Sequence, residues 1–229
     1  MLTEHLFDQP AELDTALASR IATLIRDAVA LRGQASLALS GGRTPQGFFK
    51  ALAALPLPWE SVWITLVDDR WVPNDHADSN ERLVRAGLLQ GPVAAAHFIP
   101  MVNAAATPEA GLAEARAALA ALPQPFDAIV LGMGDDGHTA SLFPGADELA
   151  HGLSSTELVC AVNPKHAPHA RISLTAPTIL AARHLFLHIT GDNKRKVLAE
   201  ARTGGAVEAM PIRATIQQDK VPLNVYWSA

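Results

Sequence analysis

The chain holds a single cysteine, Cys160, in 229 residues. That excludes an internal disulfide and any zinc or iron–sulfur centre built on several cysteines. Positive charge is also in short supply. Lys and Arg together number 18 against 23 Asp and Glu, a formal net charge of −5, which argues against sequence-blind binding to nucleic acid. Charged residues make up only 18% of the chain and hydrophobic ones 49%, so this is not a self-repelling disordered polymer. No apolar run approaches the roughly 18 residues of a membrane helix. The opening Met1-Leu2-Thr3-Glu4-His5-Leu6-Phe7-Asp8 lacks the basic and then apolar regions of a signal peptide. Internal repeats, low-complexity tracts and linkers are missing too. A cytoplasmic protein built as one domain over residues 1–229 is the expectation.

Apolar runs alternate with helical patterns. Leu13, Leu17, Ile21, Leu24 and Ile25 recur at helical spacing, with Gly33 as the stop. Ala35–Leu39 reads as a short strand. Thr44 is positioned to cap the following helix, with Pro45 at its first position. Val62–Val67 is a second strand, and Ser79 caps a helix running to about Leu89. His97–Pro100 reads as a short strand, 108–122 as an alanine-rich helix, and Ala128–Leu131 as a fully apolar, buried strand. Strands follow at Leu158–Val162, Ile172–Leu174, His184–Ile189 and Leu223–Trp227, with helices opening at Thr175 and spanning 194–202. The alternation predicts an α/β chain, a three-layer α/β/α sandwich with a mainly parallel, Rossmann-like sheet.

Ligands of such sheets bind at the carboxyl ends of strands, and three turns stand at such ends. Ser40-Gly41-Gly42-Arg43-Thr44-Pro45 lets backbone N–H groups approach an anion at a helix start. The spaced glycines of a dinucleotide site and the Gly-Lys-Ser/Thr of a P-loop are both absent, so a phosphorylated small molecule fits better than NAD or ATP. Asp68-Asp69-Arg70, with Ser79-Asn80 nearby, offers carboxylates and a guanidinium for an oxyanion; read alone, the string favours a solvated loop of self-paired charges. Gly132-Met133-Gly134-Asp135-Asp136-Gly137-His138 delivers a histidine suited to general-base work near neutral pH.

Other features carry less. His166 and His169 flank Pro168 before Arg171 and read as an exposed loop. His184 and His188 read as structural, with no third ligand to complete a metal site. Lys194-Arg195-Lys196 is a cationic run at a helix start, and Cys160 sits in an apolar run as inert core. The Gly-x-Ser-x-Gly spacing of an α/β-hydrolase nucleophile is absent.

Taken in order, these strings resemble the 6-phosphogluconolactonase family. The matching stretches are Leu39–Pro45, Asp68–Pro73 continuing to Asp78-Ser79-Asn80, Leu131–Gly145, Arg171–Thr175 and Gly191–Lys194. The resemblance spans about residues 37 to 227, and Leu131–Gly145 is its most specific part. It implies a fold shared with sugar-phosphate isomerases and deaminases, and hydrolysis of 6-phospho-D-glucono-1,5-lactone without metal or organic cofactor. It implies His138 as general base, with Asp68 and Arg70 beside it in the active site. It implies that Gly41, Gly42 and Thr44, with Arg171 and Lys194, hold the sugar phosphate, and Arg43 between them either adds to that binding or turns outward. The partner is then a small-molecule lactone, not nucleic acid or membrane, and the chain acts as a monomer or homodimer. Two positions depart from the family pattern: Arg43, where Ser is common, and Asp69, where Glu is frequent. A glucosamine-6-phosphate deaminase is the nearest rival, although Thr139-Ala140-Ser141-Leu142-Phe143-Pro144 lacks the extra acid typical after its histidine. A sugar-phosphate effector domain of a transcription regulator is a second rival, but the region before Ser40 holds one helix rather than a helix-turn-helix.

Overall fold

A computed structural model describes residues 2–229. Ten strands are present: β1 (Leu2–Phe7), β2 (Ala35–Leu39), β3 (Val62–Leu66), β4 (Asp68–Arg70), β5 (His97–Phe98), β6 (Ala128–Leu131), β7 (Val159–Val162), β8 (Arg171–Leu174), β9 (Leu185–Thr190) and β10 (Leu223–Ser228). The helices are α1 (Pro10–Arg32), α2 (Gln46–Ala53), α3 (Asn80–Gly87), α4 (Pro108–Leu119), α5 (Leu149–Ser154), α6 (Ala176–Leu180), α7 (Asp192–Arg202) and α8 (Arg213–Ile216). None is long and apolar enough to cross a membrane.

Seven strands form one wholly parallel sheet in the order β1-β10-β9-β6-β2-β3-β5, flanked by helices. The central strands β2 and β6 are buried at every residue, as a two-sided parallel sheet demands. Helix α1 turns Leu13, Leu17, Ile21, Ile25 and Ala28 to the core and stops where Gly33 adopts φ +76° and returns its N–H to the Val29 carbonyl. The chain runs outward from β2 through β3 to β5 on one side, and through β6, β9 and β10 on the other. The reversal lies between β2 and β6, where successive turns leave in opposite directions and open a crevice.

Three features depart from the sequence expectations. The first residues form a strand, β1, paired with β10 in the register Leu2↔Leu223. Asp68–Arg70 is a strand rather than a loop. It joins β8 and β7 in a second, antiparallel three-stranded sheet that the alternating pattern did not foretell. Thr44 does not cap α2: Pro45 stands at the N-cap, no side chain of the turn caps the helix, and Thr44 is exposed. By contrast, Ser79 and Thr175 cap α3 and α6 as the sequence predicts.

Candidate functional site

The turns after β2 and β6 flank the crevice and are tied directly, for Ser40 Oγ accepts the Gly132 N–H at 2.9 Å. Beneath them lies a cavity of about 310 Å³, and Gly41, Gly42, Arg43, Thr44, Asp68, Arg70, His138, Arg171 and Lys194 all stand on its wall. Asp69, the neighbour of Asp68, stays out of it. Its carboxylate instead accepts the Asn80 and Glu81 N–H groups at 2.7 and 3.0 Å and anchors α3.

The turn after β6 is shaped around the histidine. Gly134 comes so close to the imidazole that a Cβ there would sit 2.0 Å from His138 Nδ1. Asp136 Oδ1 accepts from His138 Nδ1 at 2.6 Å and from the His138 N–H at 3.0 Å. Burial raises the Asp136 carboxyl, but those two hydrogen bonds outweigh it and hold it at about 2. An ionised Asp136 therefore keeps the proton on Nδ1 and leaves the Nε2 lone pair free. The ring's other support is Phe143, 4.2 Å away between centroids.

Among the described residues Asp68 hydrogen-bonds neither the Arg70 side chain nor the His138 ring. Asp68 Oδ2 accepts from Ser141 Oγ at 2.5 Å, which pins the segment after His138. Arg70 is instead aimed by the Asp78 carbonyl at 2.8 Å and Asn80 Oδ1 at 2.9 Å. Gly41 makes this possible, since a Cβ there would lie 2.0 Å from Asn80 Oδ1. The three glycine N–H groups of the Gly132–Gly137 turn are committed as well. The Gly132 N–H goes to Ser40, that of Gly134 to the His138 carbonyl at 2.8 Å, and that of Gly137 to the Gly134 carbonyl at 3.2 Å. Charge stabilisation at the cavity thus falls mainly to the arginines.

Arg70 and Arg171 are direct cross-strand partners in the second sheet, and both face the cavity. Like charges opposite one another on adjacent strands destabilise a sheet. Here they sit together, with Arg171 6% exposed and Arg70 Nε buried without a partner among the described residues. An arrangement of this kind is complementary to a bound anion. Lys194 Nζ pairs with Asp135 Oδ1 at 2.5 Å beside the same wall.

One residue escaped the sequence reading, and another, His188, reads there only as structural. Asp14 on α1 reaches across to α2, where it accepts a hydrogen bond from the Phe48 backbone; Gly47 leaves room, a Cβ there lying 1.8 Å from Asp14 Oδ2. The cap that Thr44 does not provide comes from another helix. Beside it, His188 lies on the cavity floor, 4% exposed, with Nε2 3.5 Å from Asp14 Oδ1 and neither ring nitrogen hydrogen-bonded. Burial pushes this imidazole down to about 4. The unfolded chain protonates the same ring near pH 6.5, so folding loses stability as pH falls from about 6.5 to 4. Urea unfolding at pH 7.5 and 4.5 should show the wild type losing roughly 2–3 kcal/mol more than His188→Leu. Parallel losses in the two proteins would dismiss this.

The comparisons with known proteins agree on one kinship. A family profile described as glucosamine-6-phosphate isomerases/6-phosphogluconolactonase matches residues 8–227. A protein named 6-phosphogluconolactonase from Rhizobium meliloti is 43% identical over 226 residues, covering 98% of this chain and 97% of that one. One of the same name from Pseudomonas aeruginosa is 41% identical, covering 97% and 93%. The crystal structure of a 6-phosphogluconolactonase from Shewanella baltica superposes with a TM-score of 0.99 at 45% identity, over 100% of this chain and 98% of that one. A monomeric glucosamine-6-phosphate deaminase shares the fold at a TM-score of 0.80 and 19% identity, over 97% and 96%.

Proposed function

The chain belongs to the glucosamine-6-phosphate isomerase/6-phosphogluconolactonase family, and on that premise we propose the activity its cavity supports best: hydrolysis of 6-phospho-D-glucono-1,5-lactone to 6-phospho-D-gluconate in the oxidative pentose phosphate pathway. The reaction is that of an ester hydrolase. The observation that carries this reading is a single cavity shared by an imidazole oriented through Asp136 and a ring of cationic and glycine-rich anion donors.

A δ-lactone is an activated ester, so its opening needs a water nucleophile, stabilisation of the carbonyl oxygen and a proton for the departing ring oxygen. His138 Nε2 takes a proton from water as it attacks C1, while Asp136 steadies the imidazolium that forms. The oxygen of C1 gains negative charge and meets Arg70. His138 then returns the proton to the ring oxygen as the C1–O bond breaks. Asp68 holds Ser141 and with it the backbone that carries the base. The phosphate is received by Gly41, Gly42, Thr44 and Arg171, with Lys194 alongside, so that remote binding energy fixes C1 against the imidazole. The same reading takes the chain as one domain working in the cytoplasm on a small molecule.

Arg43 has no carboxylate partner among the described residues and is exposed at the cavity edge. Its contribution to an anion is therefore that of a solvent-screened charge. Arg43→Ser should raise KM about two- to fivefold with kcat kept, as read by initial rates; an unchanged KM would mean that Arg43 turns away from the substrate. The activity itself is tested by a pH-stat assay with freshly generated lactone, corrected for spontaneous opening. Ammonia release from glucosamine 6-phosphate in place of acid release from the lactone would transfer the chain to the deaminase branch.

A further inference from the structure

Behind the two arginines of the cavity wall lies a cluster of side chains that the hydrolysis does not use. His76 and Asp78 lie between β4 and α3, and His169 lies just before β8. Asp78 Oδ2 accepts from His169 Nε2 at 2.9 Å and lies 3.9 Å from His76 Nδ1. The two imidazoles meet edge to face with centroids 5.3 Å apart. One ligand atom from each residue falls within 4.8 Å of the others. Tetrahedral zinc, with bonds of about 2.0–2.1 Å, sets its ligand atoms roughly 3.3–3.4 Å apart. The distances from the carboxylate to the two rings lie on either side of that value, so small side-chain shifts suffice. The Asp78 N–H now donates to His76 Nδ1 at 3.1 Å, a contact the ion would replace.

The chemistry of the set is selective. Two imidazoles and one carboxylate suit zinc, nickel or copper rather than calcium or magnesium, which prefer all-oxygen shells. The three side chains are 42%, 53% and 28% exposed, so an ion can enter and keep water in its remaining position.

We propose that His76, Asp78 and His169 bind one divalent transition-metal ion of the zinc class behind Arg70 and Arg171, apart from the reacting groups. The ion ties the segment following β4 to the segment preceding β8. These are the segments whose carbonyls hold the two arginines: Asp78 receives Arg70 Nη1 at 2.8 Å, and His169 receives Arg171 Nε at 3.4 Å. Metal loading thereby fixes both segments that hold the two arginines. The proposal does not depend on the lactonase reading, because its test reads metal and not turnover.

The test is a zinc titration of the metal-free full chain against a chromophoric chelator, paired with thermal melts with and without zinc. The expected result is one equivalent bound with a Kd of about 10 µM or tighter and a rise in Tm. His76→Gln, Asp78→Asn and His169→Gln should each weaken binding at least about tenfold and abolish the Tm rise. His151→Gln, at an exposed histidine elsewhere, should behave as wild type. If a glutamine variant does not fold, the asparagine variant at the same position takes its place. A wild type without a stoichiometric site, or variants that bind zinc as the wild type does, would overturn the proposal.

Discussion

His138→Asn should lower kcat for lactone hydrolysis by about 10²–10⁴-fold, the usual contribution of a positioned general base, while KM stays within about twofold. Asn retains a polar group of similar reach and keeps the turn polar, but it cannot accept a proton from water. The cavity wall that receives the phosphate does not include the imidazole's partners, so binding is spared. Asp136→Asn gives the companion result on the same axis. An amide at position 136 no longer demands a proton on Nδ1, so the ring loses its enforced tautomer and kcat falls with little change in KM. Initial rates corrected for spontaneous hydrolysis decide the matter: a His138→Asn enzyme turning over near the wild-type rate sinks the assignment.

The second large effect is expected at Arg171. Truncating it to Met keeps the aliphatic stem but removes a guanidinium that faces Arg70 across two strands. A hydrogen bond to a charged group is worth roughly 1.5–3 kcal/mol, so KM should rise about 10–100-fold. The two arginines differ in what holds them. Arg70 is clamped by Asp78 and Asn80, whereas Arg171 has only long contacts of 3.4 and 3.1 Å to the carbonyls of His169 and Pro168 and a face on Phe143 at 5.6 Å. Removing Arg171 also relieves a like-charge pair, so the free enzyme should not lose thermal stability. A KM that is unchanged, or a Tm that drops steeply, would show Arg171 to be a structural residue. Competition by inorganic phosphate sharpens the comparison, since its inhibition constant should rise in parallel with KM.

Much of the parallel sheet is readable from composition and spacing alone. Ala35–Leu39, Ala128–Leu131 and Leu185–Thr190 are apolar at nearly every residue, and only a strand covered on both faces needs that. The stripe Leu13-Leu17-Ile21-Ile25 with Gly33 after it defines α1 nearly to the residue. Strands β1 and β4 resist such reading. Leu2–Phe7 mixes polar and apolar residues because it is an edge strand, and its partner β10 lies at the far end of the chain. Asp68-Asp69-Arg70 has the composition of a loop and becomes a strand only because β8, about a hundred residues later, supplies its hydrogen bonds.

The candidate site divides along the same line. The strings around Gly41–Thr44, Asp68–Arg70 and Gly132–His138 mark themselves by chemistry that local structure does not require, and all of them reach one cavity. The contacts within that cavity were not legible. Asp136 lies two residues from His138, close enough to have been named, yet Asp135 and Asp68 offered the same carboxylate at comparable plausibility. Only the conformation of the turn, with Gly137 at φ +77° and Gly134 pressed against the ring, selects among them. Asp14 gave no signal, because a carboxylate on one helix capping another is a relation between packed elements.

The sequence by itself determined the layer architecture, the central strands and which residues carry reactive or anion-binding groups, because periodicity and residue chemistry are local properties. The tertiary structure decided which carboxylate serves which partner, that two arginines face each other, and that two histidines and an aspartate from separate segments meet. Those outcomes depend on distances between elements far apart in the chain. Such distances follow from strand order and packing, which no window along the chain contains.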